Sequence, residues 1–267
     1  MPGDSFSYSR LQTFSQCPAR YRFHYLEHLP ESATSIESFL GSRLHEALEW
    51  LYRERLAGRS VPFDGLLKVY RSQWAQHWSG QIRIADPAWQ TDDYYQLGLR
   101  SLAGFYRRHR PFDQPVTNTE LVLKFDLDGD GHYLMIGVLD RLDNHGPGWW
   151  SIHDYKSGRR ILTQAQANQD LQMKIYYLAL LKTQEQVERV DVVWDFLRHG
   201  REVAIDRVDW SPSRVTTMIK KRIDRVREAV AQPELLRPKE SILCNWCYYW
   251  EACPAKLGQT HPARAAQ

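Results

Sequence analysis

The sequence predicts an α/β (α+β) protein, a central mixed sheet flanked by helices, and three observations predict it. Apolar residues recur at helical spacing through roughly the first 115 residues. At residue 119 the pattern changes to β-rich runs broken by Asp/Gly and Asn/Gly/Pro turns. A strong helical run at 164–182 then separates those strands from two more. A meander interrupted by a helix places helices against a sheet.

Residues 7–29 read as a helix, with Ser7 or Ser9 as its cap and Pro30 as its stop. A second helix spans 36–56, where Phe39, Leu40, Leu44, Leu48 and Leu51 make one apolar face. Helical stretches follow at 65–78 and 93–108. Residues 120–126 read as a strand, Asp128-Gly129-Asp130-Gly131 as a hairpin turn, and 133–140 as a second strand ending at Asp140. Asn144-His145-Gly146-Pro147-Gly148 turns the chain into a third strand, 149–155. After the helix at 164–182 come strands near 190–197 and 202–208, and Ser211 or Ser213 caps a last long helix reaching Ala231. Residues 233–238 link it to a cysteine segment. The expected organisation is one domain over residues 1–267: a mainly helical part at 1–115, a sheet with its helices at 116–232, and the cysteine segment at 233–267.

Of the 267 residues 43% are hydrophobic and 25% charged, with 10 Trp, 14 Tyr and 9 Phe, which excludes a disordered chain. No apolar run approaches the ~18 residues of a membrane span. Met1-Pro2-Gly3-Asp4-Ser5 lacks the basic and apolar stretches of a secretory leader, so a cytoplasmic location and no membrane partner are expected. With 35 Lys+Arg against 32 Asp+Glu, the net charge of +3 does not by itself indicate a nucleic-acid partner. The charge is uneven, however. Arg107-Arg108-His109-Arg110, Arg159-Arg160 and Lys220-Lys221-Arg222 are basic, while acids gather near 126–143. Such a chain can hold a metal ion and a polyanion, or each cluster can be a solvated face.

Four cysteines occur: Cys17, Cys244, Cys247 and Cys253. Disulfides are not expected in a cytosolic chain of this size. The last three form a C-x2-C-x5-C run, and the two outlying cysteines, Cys17 and Cys253, both precede proline. Four thiolates can hold zinc or an iron–sulfur cluster. Structural zinc usually takes two paired knuckles, so one pair plus two single cysteines favours the cluster over zinc.

The chemistry centres on the hairpin. Asp140 at one strand end and Asp154-Tyr155-Lys156 at the next bring two carboxylates and a lysine together. Two carboxylates at one point repel unless a cation neutralises them, and oxygen ligands suit Mg²⁺ or Mn²⁺. Lys156 stands two residues past Asp154, hence on the same strand face, where it can stabilise a pentavalent phosphate or orient an attacking water. Alone, the D-x13-D-x-K spacing is weak, since strand-end aspartates are often turn residues. Gln172 and Tyr176 share one side of their helix, with Leu171, Ile175 and Leu178 on the other. His45 sits near Leu44 and Leu48 on the inner side of its helix, where an unpaired imidazole needs a partner that a metal would supply. His24-Tyr25-Leu26-Glu27-His28 fits the inverted zinc-protease pattern H-x-x-E-H. That site needs a third ligand on a following helix, and Pro30 ends this one at once, so a protease is set aside.

Taken in order, these residues resemble the PD-(D/E)XK nuclease superfamily, specifically its RecB-like branch with a four-cysteine iron–sulfur cluster, over nearly the whole chain. Ser7-Tyr8-Ser9-Arg10-Leu11 through Cys17-Pro18-Ala19-Arg20-Tyr21 is similar to the family's opening helix with the first cluster cysteine. Gly41-Ser42-Arg43-Leu44-His45 resembles its glycine-to-histidine motif. Ile136-Gly137-Val138-Leu139-Asp140-Arg141-Leu142-Asp143 and Asp154-Tyr155-Lys156-Ser157-Gly158 resemble the second and third motifs, and Gln172 with Tyr176 the helical Q-x3-Y. Leu139 stands where the family name has proline, a residue that shapes the strand and binds no metal. Glu120 resembles an upstream acidic position of some members, and little direct role is expected of it.

The resemblance implies a restriction-endonuclease-like fold and an Mg²⁺- or Mn²⁺-dependent deoxyribonuclease. It implies His45, Asp140, Asp154 and the main-chain carbonyl of Tyr155 as metal ligands, and Asp140, Asp154, Lys156, Gln172 and Tyr176 as the catalytic set. It also implies a structural [4Fe–4S] cluster on Cys17, Cys244, Cys247 and Cys253, tying the two ends of the chain together. The expected substrate is DNA, single-stranded or at ends, in repair, recombination or CRISPR adaptation. Trp246, Tyr248, Tyr249 and Trp250 offer stacking surfaces for bases or, the favoured reading, packing around the cluster. No G-x4-G-K-[S/T] run occurs, so the chain is expected to act alone on exposed ends or to join a separate helicase or integrase-like partner. The alternatives are a catalytically silent DNA-binding or scaffold subunit, against which the intact Asp140, Asp154 and Lys156 argue, a small-molecule or RNA phosphodiesterase on the same core, and a zinc-binding regulator without nuclease function.

Overall fold

The computed structural model describes residues 5–266; the expectation of no leader, which rests on the first five residues, lies at 1–4 outside them. In chain order the elements are α1 (Tyr8–Gln16), α2 (Pro18–Tyr21), a π turn (Arg22–Leu26), β1 (Thr34–Ser35), α3 (Ile36–Leu56), α4 (Phe63–His77), β2 (Ile82–Ile84) and α5 (Thr91–His109). Then come β3 (Val116–Asp126), β4 (Leu134–Gly146), β5 (Trp149–Lys156), α6 (Gln164–Gln169), α7 (Leu171–Thr183), β6 (Arg189–Phe196), β7 (Arg201–Ile205), α8 (Pro212–Ala231) and β8 (Arg264–Ala265).

Five strands form one mixed sheet in the order β3-β4-β5-β6-β7. All neighbours are antiparallel except β5 and β6, which are parallel with Lys156 level with Phe196. A parallel pair needs a crossover, and α6 with α7 supplies it. One core lies between the sheet and α1, α7 and α8, with Leu142, Ile152, Val192 and Trp194 from the strands meeting Ile175, Leu178, Ile219 and Ile223. A second core packs α3, α4 and α5 against the other face through Tyr155 and Leu197. Fully burying a side chain of this size contributes about 1.5–3 kcal/mol, so the strands around the candidate residues are held from both sides. A small second sheet, β1-β2-β8, joins the C-terminal end to the helical part. The expected mixed sheet flanked by helices is the architecture found.

Several expected elements are differently cut. The helix expected at 7–29 breaks at Cys17, whose extended backbone lets Pro18 open a new turn without needing an N–H partner. The helix expected at 164–182 is two helices, because Asp170 leaves the helical conformation and its carboxylate caps the Met173 N–H at 2.8 Å. Asp140 does not end a strand: β4 runs on to Gly146, so Asp140 lies mid-strand. The polar run after it, Arg141 and Asp143, reads as a strand end in sequence, yet both side chains are buried against each other.

Candidate active site

Five elements, α3, β3, β4, β5 and α7, converge on one point. α3 begins where the Ser35 hydroxyl accepts from the Ser38 N–H at 3.2 Å, and its buried Phe39, Leu40, Leu44, Ala47, Leu48 and Leu51 fix its roll. His45 therefore stays beside that apolar face and reaches the sheet. A Cβ on Gly41, one turn earlier, would come within 3.1 Å of the Ser157 hydroxyl, so glycine there allows the helix to sit close to the loop that follows β5. His45 donates from Nε2 to the Tyr155 carbonyl at 3.1 Å, while Nδ1 faces Asp140 Oδ1 at 3.5 Å and Glu120 Oε1 at 3.8 Å.

Glu120 reaches this point through an unusual backbone. It lies between the Thr119–Arg141 and Leu121–Leu139 pairs, opposite Asp140, with φ of 47°. A non-glycine residue held left-handed in a strand costs on the order of 1–3 kcal/mol, and such residues gather at functional sites. Across the ladder β4 changes phase: Met135 and Leu139 face the α7 core at odd positions, and Leu142 does so at an even one. Asp140 falls at that change. Its Oδ2 accepts the Tyr155 N–H at 2.6 Å, which ties β4 to β5 beside the cluster.

Lys156 stands on the same face of β5 as Asp154, as its spacing requires, with Nζ 2.6 Å from Asp154 Oδ2. That contact is an ion pair, and among the described residues the buried Oδ2 has no further partner. Nζ also donates to Gln172 Oε1 at 2.7 Å, and Gln172 Nε2 donates to the Tyr176 hydroxyl at 2.8 Å. The α7 pair thus orients the lysine from the side, a direction set by the Asp170 cap.

The electrostatics call for more positive charge. Burial, with Asp140 adding to it, pushes the Asp154 carboxyl up to about 6 although Lys156 opposes the shift. Burial disfavours the charged form of His45, but Asp140 and Glu120 outweigh it and carry the imidazole up to about 10. The Lys156 ammonium is likewise raised by Asp154 against burial. Three carboxylates here face two cations. Ligand atoms of His45, Glu120 and Asp140 all lie within 4.8 Å of one another, and Asp154, paired with Lys156, is the fourth candidate. An oxygen-rich set with one imidazole suits a hard divalent ion.

Two other acid-rich groups have their charges or lone pairs answered locally. His109, Asp195 and Glu202 include a carboxylate that takes two bonds from Arg108, at 2.7 and 2.9 Å. Asp126, Asp128 and Asp130 form a turn in which Asp126 accepts from the backbone of Asp128 and Gly131 and Asp128 pairs with Lys220.

His45, Asp140, Asp154, Lys156, Tyr155, Gln172 and Tyr176 are thus brought together, and so is Glu120, whose part the sequence understated. Tyr8 of α1 also overlooks the site: burial and the charge of Asp170 push its hydroxyl up, with Lys156 and Asp154 close enough to act on it. The four cysteines line one cavity together with Arg20, Lys239 and Lys256, and the Lys239 N–H points at Cys17 Sγ at 3.4 Å. Among the described residues no three cysteine sulfurs lie within 4.8 Å of one another. Tyr249 and Trp250 are buried, Tyr249 against Phe23 and Trp250 bonded to the Gln259 carbonyl. The H-x-x-E-H motif dissolves: the π turn ends at Leu26, His28 is left-handed beyond it, and His24 bonds Tyr249.

Residues 5–254 match the PD-(D/E)XK nuclease superfamily, so the chain belongs to that superfamily and is a nuclease by family. No curated protein matches it by sequence. Among 23 matching chains of solved structures, one is a protein of Eubacterium rectale provisionally named an exonuclease, 14% identical, with a TM-score of 0.55 over 96% of this chain and 89% of that one. At that identity the likeness shows the shared fold. Another, SSO0001, is 14% identical with a TM-score of 0.36, covering 93% of this chain and 96% of its own. No helix among the described residues is long and apolar enough to cross a membrane.

Proposed function

We propose that this chain is an Mg²⁺- or Mn²⁺-dependent deoxyribonuclease, an exonuclease acting on single-stranded DNA or DNA ends, of the RecB-like branch. The observation that carries the reading is the convergence of His45, Glu120 and Asp140 beside the Asp154–Lys156 pair. His45, Asp140 and Asp154 would hold the ion, with Glu120 and the Tyr155 carbonyl beside them. When bound, the ion supplies Lewis-acid polarisation of the phosphate and a stronger water nucleophile. Lys156, kept protonated by Asp154, donates toward the charge that grows on the phosphate oxygens. Gln172 holds Nζ in that direction through its 2.7 Å bond, and Tyr176 fixes the amide of Gln172 in turn. A water attacking in line is turned by the same ammonium.

The four cysteines belong, in this reading, to a structural [4Fe–4S] cluster that ties α1 to the C-terminal segment within one domain spanning 1–267. The four thiols share one cavity with Arg20, Lys239 and Lys256, cations that would offset the negative charge of a thiolate-held group. Anaerobically purified protein is expected to absorb broadly near ~400 nm and to lose that band in Cys244→Ser; zinc in place of iron overturns the cluster. The site is expected to serve repair, recombination or CRISPR adaptation in the cytoplasm, beside a helicase or integrase-like partner.

The test is cleavage of end-labelled single-stranded and duplex DNA with Mg²⁺, Mn²⁺ or EDTA, for wild type and Asp154→Ala. Metal-dependent cutting that the variant loses supports the nuclease, and the product ladder gives its polarity. No cutting by cluster-loaded wild type on any substrate favours the silent scaffold.

A further inference from the structure

Beyond the carboxylates, the same end of the sheet carries a group of arginines with little to neutralise them. β5 and β6 are parallel and in step, Lys156 beside Phe196, so the chain leaves both strands on the same side. Arg159 follows Lys156 by three residues, and Arg198 follows Phe196 by two, in the short 3-10 turn Leu197–His199. Both guanidiniums settle on one indole: Arg198 Cζ lies 4.9 Å and Arg159 Cζ 5.4 Å from the Trp89 ring centre. His199 holds the Arg159 carbonyl at 3.0 Å, which fixes the two turns to each other. Trp89 is anchored in turn by its carbonyl, which accepts from Arg264, and by Tyr94, 5.1 Å away between ring centres.

Among the described residues, Asp86 is the carboxylate in ion-pair contact with this group, 2.5 Å from Arg159, and Arg264 also acts on it. Glu37 lies behind it, bonded to the Tyr94 hydroxyl. Among the described residues, neither Arg198 nor the exposed Arg100 of α5 has an ion pair. Burial, followed by the charges of Arg159 and Arg100, lowers the Arg198 pKa, as expected of cations that crowd one another. Cation–π attraction holds guanidiniums over an aromatic ring, and planar forks match phosphate oxygens, although Asp86 already takes one N–H group of Arg159. Chain geometry limits Arg159 Cα to about 11 Å from Lys156 Cα, which is about three nucleotides at ~3.4 Å rise per strand.

We propose that Arg159 and Arg198, mounted on Trp89 with Arg100 beside them, form a phosphate-binding subsite for the nucleic-acid strand passing through the cleavage site, about one to three nucleotides from the scissile phosphate. The proposal rests on the nuclease reading. It is tested with Arg159→Ala/Arg198→Ala and, as a control for loss of surface charge, Lys221→Ala/Arg225→Ala on α8, two exposed cations with no ion pair among the described residues. Binding of a fluorescent single-stranded DNA of about 20 nucleotides is followed by anisotropy in EDTA across salt concentrations. The arginine variant is expected to lose about tenfold in affinity, and its log K against log salt slope to fall by about 1.4, two phosphates' worth on a single strand. The α8 variant should stay within about twofold of wild type with its slope unchanged. In Mn²⁺-dependent cleavage KM should rise with the lost affinity and kcat stay nearly constant. Equal losses in the two variants, or an effect confined to kcat, overturn the subsite. Arg159→Ala alone, whose side chain is half-exposed, should give a smaller loss of the same kind, and an unchanged affinity there also counts against it. If wild type cuts no DNA, the nuclease reading fails while anisotropy still reads the subsite. If it cuts and the arginine variant binds normally, the subsite alone fails.

Discussion

Arg141→Met removes a cation buried behind the candidate site. Arg141 is 1% exposed and makes two bonds to Asp143, both 2.9 Å, one to the Tyr52 hydroxyl at 2.6 Å and one to His153 Nε2 at 3.1 Å. Methionine fills part of the volume but leaves Asp143 buried and charged without its partner, a change that costs about 3–5 kcal/mol. The Tyr52 hydroxyl adds about 1 kcal/mol. Against a total stability of about 5–15 kcal/mol, and about 2–4 °C of Tm per kcal/mol at this size, the melting temperature should fall by roughly 8–24 °C. Circular dichroism melts in EDTA measure it without any contribution from bound metal. Arg141→Met/Asp143→Leu, which removes both charges, should recover at least half of the loss. A drop below about 3 °C, or a double variant no better than the single, would refute the claim that this pair balances itself.

Other outcomes follow from the same geometry. Burial, then the Arg141 charge, lowers His153 to about 4 from its usual 6.5, so between those values the unfolded chain binds a proton that the native state refuses. Stability should therefore be lost as pH falls from 6.5 toward 4, by up to about 3 kcal/mol; Tm of the EDTA-treated protein checks it, and His153→Gln should flatten the slope. Gly98→Ala reverses the usual gain of about 1 kcal/mol from replacing a helical glycine. The new Cβ would lie 2.0 Å from the buried Tyr70 hydroxyl and 3.0 Å from Leu40 Cδ1, and overpacking of this kind costs about 1–3 kcal/mol; urea melts that show equal or greater stability contradict it. Glu120→Gln should weaken Mn²⁺ binding, read by calorimetry, by about tenfold while metal-free Tm holds or rises, and unchanged affinity would remove Glu120 from the site.

What the sequence reveals and conceals has physical causes. α3 is legible because one packed face imposes a 3.6-residue period, and Lys156 is legible because strand side chains alternate strictly. The break at Asp170 is hidden, since an aspartate fits a helical pattern and only its backbone angles make it a cap. The run of β4 past Asp140 is hidden because Arg141 and Asp143 look solvated, although their mutual neutralisation permits burial. Glu120 is understated because alternation says nothing of a left-handed φ that redirects a side chain. β1, β2 and β8 are two or three residues long, too short for any period. The gathering of Cys17 with Cys244, Cys247 and Cys253 is set by how α1 and the C-terminal segment fold together, which spacing along the chain does not contain.

The two faces of β4 and β5 solve the same electrostatic problem in opposite ways. Arg141 pairs with His153 across the ladder, next to Asp140 and Asp154, so the two solutions are one residue apart. On the inner face Asp143 is held at about 2: burial pushes it up, and His153 and Arg141 outweigh that burial. The positive charge is built into the chain, and Arg141 admits no solvent. On the other face Glu120, Asp140 and Asp154 meet only Lys156 and His45, leaving a formal charge of about −1 even with both cations protonated, and more when His45 is neutral. At an effective dielectric of about 20, one uncompensated charge at 4 Å is worth about 4 kcal/mol. A second arginine could remove that penalty, but its guanidinium would occupy the carboxylate oxygens permanently. Here the lysine and histidine side chains keep 32% and 30% of their surface open. The deficit is thus left where an exchangeable cation and a phosphate can reach it, and the balance is closed internally only where the strand pair needs rigidity.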